Sequence, residues 1–385
     1  MPSVTVDVSP VIIDWVIKST AKENINNGII SNLVKWKNGE KAPTFNQIES
    51  VSKATRIPLG YFFLQSPPIE NFPVLQYRTI DSLYTENPSR DLVDTINDME
   101  SIQEWMRDYM IDCGYYRLSF VGSCKNEKDK REIVGNFLKT LHITADWYKE
   151  VNAKLDAFKF FRSKFEKLGI LVMMSGIVGN NTRRSLNIEE FRAFTLVDDY
   201  APLIFINSND SQGAKLFSIL HEATHILLGT SNLYNDRYGT AGSGNEIETL
   251  CNSVAAEILV PSSYFEAEWA NHADKQTSKQ VQLLADIFKC GVVVIARKAL
   301  EYHYISKEEY QRIVDEAILH FYASRDKGSG GNYYATTATR IDNRFIIALN
   351  SSIKEGRTQF TEAYRLTNTN RKTFSNLVEE LRGIS

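Results

Sequence analysis

Apolar residues recur at helical spacing along most of the chain and switch to short strand-like runs in one region. Helices are predicted from Val11 to about Ile17, from about Ile25 to Trp36, and from near Thr44. In the last, Thr44 with Gln47 resembles a capping box ahead of the buried stripe Ile48, Val51, Ala54 and Ile57. A long amphipathic helix follows over 90–113, with Leu92, Ile96, Met99, Ile102, Trp105, Met106 and Met110 on one side; two more are expected near 127–141 and 146–168. From Gly169 the period shortens. Runs at 169–174, 191–197 and 203–207 read as strands, the last two joined by a turn at 198–202. Helical spacing then returns around Leu216, Phe217, Leu220, Ile226 and Leu227, with Gly229 placed to end the helix. A further helix over 245–261 stops at Pro261. Helices near 262–270 and 277–288, and another through Tyr302, complete the pattern up to a breakpoint at 324–332, beyond which a basic helical tail begins at Tyr333. The fold class is α+β and mostly helical, with one small sheet leading straight into the helix that Gly229 ends.

Composition narrows the options. A chain of 385 residues is too long for one ordinary core. Hydrophobic content of 43% against 24% charged residues is that of a soluble globular protein, and no window reaches a membrane span. The start of the chain has no basic leader and does not read as a signal peptide, so a cytoplasmic location is expected. The four cysteines, Cys113, Cys124, Cys251 and Cys290, form no CxxC pair, which argues for reduced thiols that pack rather than bind metal. A net charge of −3 gives no general affinity for nucleic acid; DNA contact requires a local patch.

The candidate chemistry sits at His221-Glu222-Ala223-Thr224-His225. On a helix, residues four apart share a face, so both imidazoles reach one metal ion while Glu222 points toward the space beside it. A hydrolytic zinc site needs a third protein ligand, best sought on a second helix downstream. His272 and His303 are isolated and read as ordinary histidines. The 245–261 helix is more informative, because Ala255 and Ala256 permit close approach to a neighbour.

Two resemblances organise these pieces. The string VKWKNGEKAPTFNQIESVSKATRIPLGYFFL resembles the second half of a lambda-repressor-type (XRE-type) helix-turn-helix domain, although residues 1–66 carry seven Lys/Arg against five Asp/Glu, thin for phosphate neutralisation. The second is to the ImmA/IrrE metallopeptidases, whose HExxH helix is followed by a helix of the form Glu-x-x-Ala/Cys-Asn-x-Phe-Ala-Ala-x-Leu-Leu-Met-Pro. Residues 248–261 fit that form, with Val254 for the aromatic and Val260 for the methionine. The resemblance implies a zincin-like, gluzincin-type core that binds Zn2+ through His221, His225 and Glu248, with Glu222 as the general base and Asn252 one turn beyond Glu248. Glu257, nine residues past Glu248, falls on the opposite side of the helix.

The implied organisation is a helix-turn-helix-like domain at 1–70, a helical scaffold at 71–168, the metallopeptidase core at 169–270, a helical subdomain at 271–325 and a basic helical region at 326–385. Tyr234, Arg237, Tyr238 and Arg192 are candidates to stabilise an oxyanion; Asp198, Asp199 and Asp210 are candidates to orient the imidazoles. The Gly- and Asn-containing loop from Thr230 to Gly244 is expected to border the cleft. By resemblance, the expected function is zinc-dependent endoproteolysis of a specific protein, a transcriptional repressor, in a stress or mobile-element response. DNA contact would come through the N-terminal domain, and oligomeric state is not indicated. The rival is a DNA-binding regulator or antitoxin-like partner that keeps a catalytically silent zincin fold for recognition.

Overall fold

Three apolar runs and one three-residue segment make a four-stranded sheet of order β1-β3-β2-β4. In the computed structural model, which describes residues 4–19, 27–68, 88–234, 246–325 and 339–382, β1 (Leu171–Ser175) lies parallel to β3 (Leu203–Asn207). The strand β2 (Ala193–Leu196) runs antiparallel to β3 and to β4 (Asn232–Tyr234). Alternation along the strands sorts their side chains by face. Val172, Ala193, Ile204 and Ile206 join the helical core, whereas Phe194 stacks on Phe205 at 5.0 Å on the other face.

The core behind the first face draws side chains from Cys124 to Val314. Its helices are Lys130–Leu141, Lys154–Leu168, Gln212–Leu228, Glu246–Leu259, Ser262–Asn271, Thr277–Ile287, Val292–Glu301 and Lys307–Arg325. The helix expected over 146–168 is divided. A 3-10 turn, Trp147–Glu150, precedes Lys154–Leu168, because Trp147 is fully buried with its Nε1 donating to the Ile258 carbonyl at 2.8 Å and its ring 4.7 Å from Phe161. That docking fixes the chain in a conformation a continuous helix could not supply.

The chain divides into two compact units. The first holds helices Pro10–Ser19, Asn27–Lys37 and Phe45–Thr55, the 3-10 helix Leu59–Phe63, and the beginning of Arg90–Asp112 as far as Asn97. Its core is Ile12, Ile13, Val16, Leu33, Trp36, Ile48, Val51 and Phe62 with close neighbours. The capping box is present: the Gln47 N–H donates to Thr44 Oγ1 at 3.3 Å and the Thr44 N–H to Gln47 Oε1 at 2.9 Å. The second unit runs on from Asp98 and contains the sheet.

Beyond residue 338, helices Asn343–Lys354, Phe360–Leu366 and Arg371–Arg382 follow a strap at 339–342. Buried Asp342 caps the first of them through the Arg344 and Phe345 N–H groups, and its other oxygen accepts the Val172 N–H at 3.0 Å. Arg162 donates to the Val172 carbonyl at 3.2 Å and to the Thr339 and Ile341 carbonyls. Both outward groups of Val172 on the edge strand β1 are thereby satisfied by side chains, which shields an edge open to strand addition. The expected breakpoint at 324–332 falls mostly outside the described residues. Among those described, no helix is long and apolar enough to cross a membrane.

Candidate metal centre

The helix Gln212–Leu228 begins at Ser211, whose hydroxyl accepts the Ala214 N–H at 3.2 Å, and ends at Gly229 in the left-handed region (φ 70°). Three of its last carbonyls find partners from outside the helix. The Thr230 N–H donates to His225 O at 3.0 Å, the Gly122 N–H to Ile226 O at 2.9 Å and the Cys124 N–H to Leu227 O at 2.8 Å. The loop around Gly122 thus clasps the end of the helix, and a Cβ on Gly229 would lie 3.2 Å from Gly122 Cα. The helix is buried almost throughout, His221, Glu222 and His225 included.

The second helix, Glu246–Leu259, packs beside it through the buried residues Cys251, Val254, Ala255 and Ile258. That packing brings both imidazole Nε2 atoms against the Glu248 carboxylate. Glu248 Oε2 is 3.2 Å from His221 Nε2, Glu248 Oε1 is 3.3 Å from His225 Nε2, and the two Nε2 atoms are 3.1 Å apart. A tetrahedral zinc with bonds of about 2.0–2.1 Å requires neighbouring donors about 3.3 Å apart, and each imidazole Nε2 stands at about that distance from the other and from one Glu248 oxygen. Two neutral nitrogens and one carboxylate oxygen are also the donor chemistry zinc accepts. Among the described residues, these three form the group able to hold a metal ion.

His225 Nδ1 faces Thr230 Oγ1 at 3.0 Å, a bond that turns Nε2 toward the group. Burial lowers the His225 pKa, keeping the ring neutral and able to ligate. Burial acts on Glu248 in the opposite sense, but the two imidazoles prevail and hold its carboxyl well below the usual range, as an anion.

Glu222 is fully buried beside the group and points one oxygen, Oε2, at Thr195 Oγ1, 2.6 Å away; Oε1 has no protein partner. Burial pushes its carboxyl up to about 8, with the Glu248 charge adding to the rise and His221 and Thr195 opposing it. A cation held by the group would bring it down again.

The remaining sequence candidates fall elsewhere. Arg192 forms an ion pair with Asp210, just ahead of the Ser211 cap. Asp198 accepts the Tyr200 and Ala201 N–H groups at 2.8 Å, and Asp199 pairs with Arg117 at 3.2 Å, so these carboxylates serve turns and surface cations. Asn252 is half-buried on the Glu248 helix. Tyr234 contributes its backbone to β4; its side chain, and Arg237 and Tyr238, lie outside the described residues. The loop expected over 230–244 is in part a strand, because residues 232–234 pair with β2. Glu257 faces Lys298 at 3.0 Å and accepts the Ser262 N–H at 2.8 Å, tying the end of its helix to Val292–Glu301. Sequence reasoning missed Thr195 and Thr230. Strand alternation gives Thr195 the parity of Ala193, but the helix residue it meets depends on long-range docking.

A His-x-x-x-His pair and a buried Glu lie on one helix, met by a carboxylate from a second helix beside a small mixed sheet. Residues 165–300, which hold the sheet and both helices, match the family described as the IrrE N-terminal-like domain, of the peptidase M78 group. This supports a metallopeptidase of the ImmA/IrrE type. Residues 341–380 match a domain of unknown function (DUF8813). No curated protein and no solved structure matches the chain.

Proposed function

We propose that this chain is a zinc-dependent endopeptidase that cuts one or a few specific proteins, a transcriptional repressor being the substrate that the ImmA/IrrE resemblance suggests, in a stress or mobile-element response. The observation that carries the reading is the buried group of His221, His225 and Glu248, in which the two Nε2 atoms are 3.1 Å apart and each is 3.2–3.3 Å from one Glu248 oxygen, next to Glu222. His221, His225 and Glu248 would hold the ion. When bound there, zinc supplies Lewis acidity toward a peptide carbonyl and lowers the pKa of water.

The residues of the chain do the rest. Thr230 holds the His225 ring by Nδ1, and the anionic Glu248 offsets part of the charge of the ion. Glu222 Oε1 takes a proton from the attacking water and returns it to the leaving amine nitrogen, so acid and base work fall to one carboxyl and no net proton is consumed at the enzyme. Burial of Glu222 excludes competing solvent from its carboxyl.

The N-terminal helical unit is proposed to recognise a macromolecule, with DNA as one partner suggested by its repressor-like sequence. Asp14 engages Lys18 at 2.8 Å and Lys37 at 2.5 Å, which offsets part of the local positive charge. The test of the peptidase reading is Glu222→Gln in the intact protein. Loss of biological activity with zinc retained is expected, whereas full activity in the variant favours the rival regulator with a silent site.

A further inference from the structure

The face of β2 that meets the site helix carries one polar side chain. Ala193 and Thr195 share that face and stand opposite Ile206 and Ile204 of β3, so Thr195 interrupts an otherwise apolar row. It is completely buried. A buried hydroxyl without a partner is destabilising, and valine would fill the same volume without that cost. The position therefore makes physical sense only through the bonds the hydroxyl forms.

Those bonds all end on one residue. Thr195 Oγ1 lies 2.6 Å from Glu222 Oε2 and 3.2 Å from the Glu222 main-chain carbonyl. A hydroxyl has one hydrogen, so the shorter contact is the donated bond and the carbonyl is an alternative acceptor for the same proton. With Oε2 engaged, Oε1 is left as the oxygen without a protein partner. A fixed strand, paired on both sides by β3 and β4, thus determines which oxygen of the glutamate is used and which way the carboxyl plane is turned.

We infer that Thr195 is a positioning residue for Glu222, holding Oε2 so that Oε1 is presented to the proton of the attacking water. This rests on the peptidase reading above.

The test compares Thr195→Val and Thr195→Ser in the zinc-loaded full chain. A peptide library from a digested proteome identifies a cleaved peptide, which then serves for kinetics. Valine should lower kcat about 10- to 100-fold, the worth of one hydrogen bond to a charged group, and leave KM within about twofold. Serine, which keeps the hydroxyl, should restore most of the rate. Zinc content and melting temperature should match the parent protein in both. A second readout needs no turnover: the infrared difference between the parent and Glu222→Gln isolates the Glu222 carboxyl band. That band should move with valine and return with serine, in metal-free protein as well. If valine fails to fold, Thr195→Ala takes its place. A parent protein that cuts while the valine variant keeps its kcat, or a Glu222 band that valine leaves unmoved, overturns the inference. A zinc-loaded parent that cuts nothing ends the peptidase reading instead, and the infrared comparison still shows whether Thr195 holds Glu222.

Discussion

Glu248 Oε2, carried on one helix, stands 3.2 Å from His221 Nε2, carried on another. The contact crosses between helices, so the donor group exists only when the two are docked, and an ion bound there must stabilise that docking. Zinc is expected to raise the melting temperature of the parent protein. The gain is RT ln(1 + [Zn]/Kd), about 4 kcal/mol at a thousandfold excess over Kd. Glu248→Ala should lose most of that rise and most of the bound zinc, measured by calorimetry and metal analysis. Unchanged stoichiometry in the variant would remove Glu248 from the ligand set.

The docking is also held from behind. Glu257 lies on the Glu248 helix and bonds Lys298 at 3.0 Å and the Ser262 hydroxyl at 2.7 Å. Although burial acts to raise its carboxyl, Lys298 and Ser262 hold it at about 2, below the ordinary 4.5. Because the folded value is the lower one, this stabilisation is complete above about pH 4.5 and is lost as pH falls toward 2. Glu257→Gln should lower stability at neutral pH by about 1–2 kcal/mol, a figure reduced for the partly open carboxylate. The difference from the parent should shrink across that acid window in denaturant titrations. A difference independent of pH would contradict the ion-pair origin.

Gly213 occupies the first turn of the site helix, where alanine would ordinarily be favoured by about 0.5–1 kcal/mol. Here a Cβ would lie 2.8 Å from Gly291 Cα, a backbone atom that cannot rotate away. The clash should win. Gly213→Ala is expected to cost about 1–3 kcal/mol, the usual range for overpacking, read as a fall in melting temperature with zinc affinity reduced in parallel. A neutral or stabilising result would mean the helix can slide without penalty.

Much of this was legible in the sequence because it is local. The site helix and its Gly229 stop, the capping box at Thr44 and Gln47, and the three main strands follow from periodicity and cap chemistry within a few residues. What was not legible depends on chain segments far apart. The pairing of residues 232–234 with β2, the division of the 146–168 helix by burial of Trp147, and the strap that places Asp342 on Val172 all require the tertiary fold. The same holds within the site. His221, Glu222 and His225 announce themselves by spacing, whereas Thr195 and Thr230 are ordinary threonines until the sheet and helix end bring them to Glu222 and His225.

The most direct test of the account is cleavage by the zinc-loaded protein against its Glu222→Gln form, read as new N termini by mass spectrometry on proteins captured with the chain. The parent should generate a defined cut. The glutamine form should hold about one zinc per chain, retain the same captured protein and leave it whole. Cutting by the glutamine form at the parent rate would contradict Glu222 as the proton carrier and, with it, the proposed chemistry of the site.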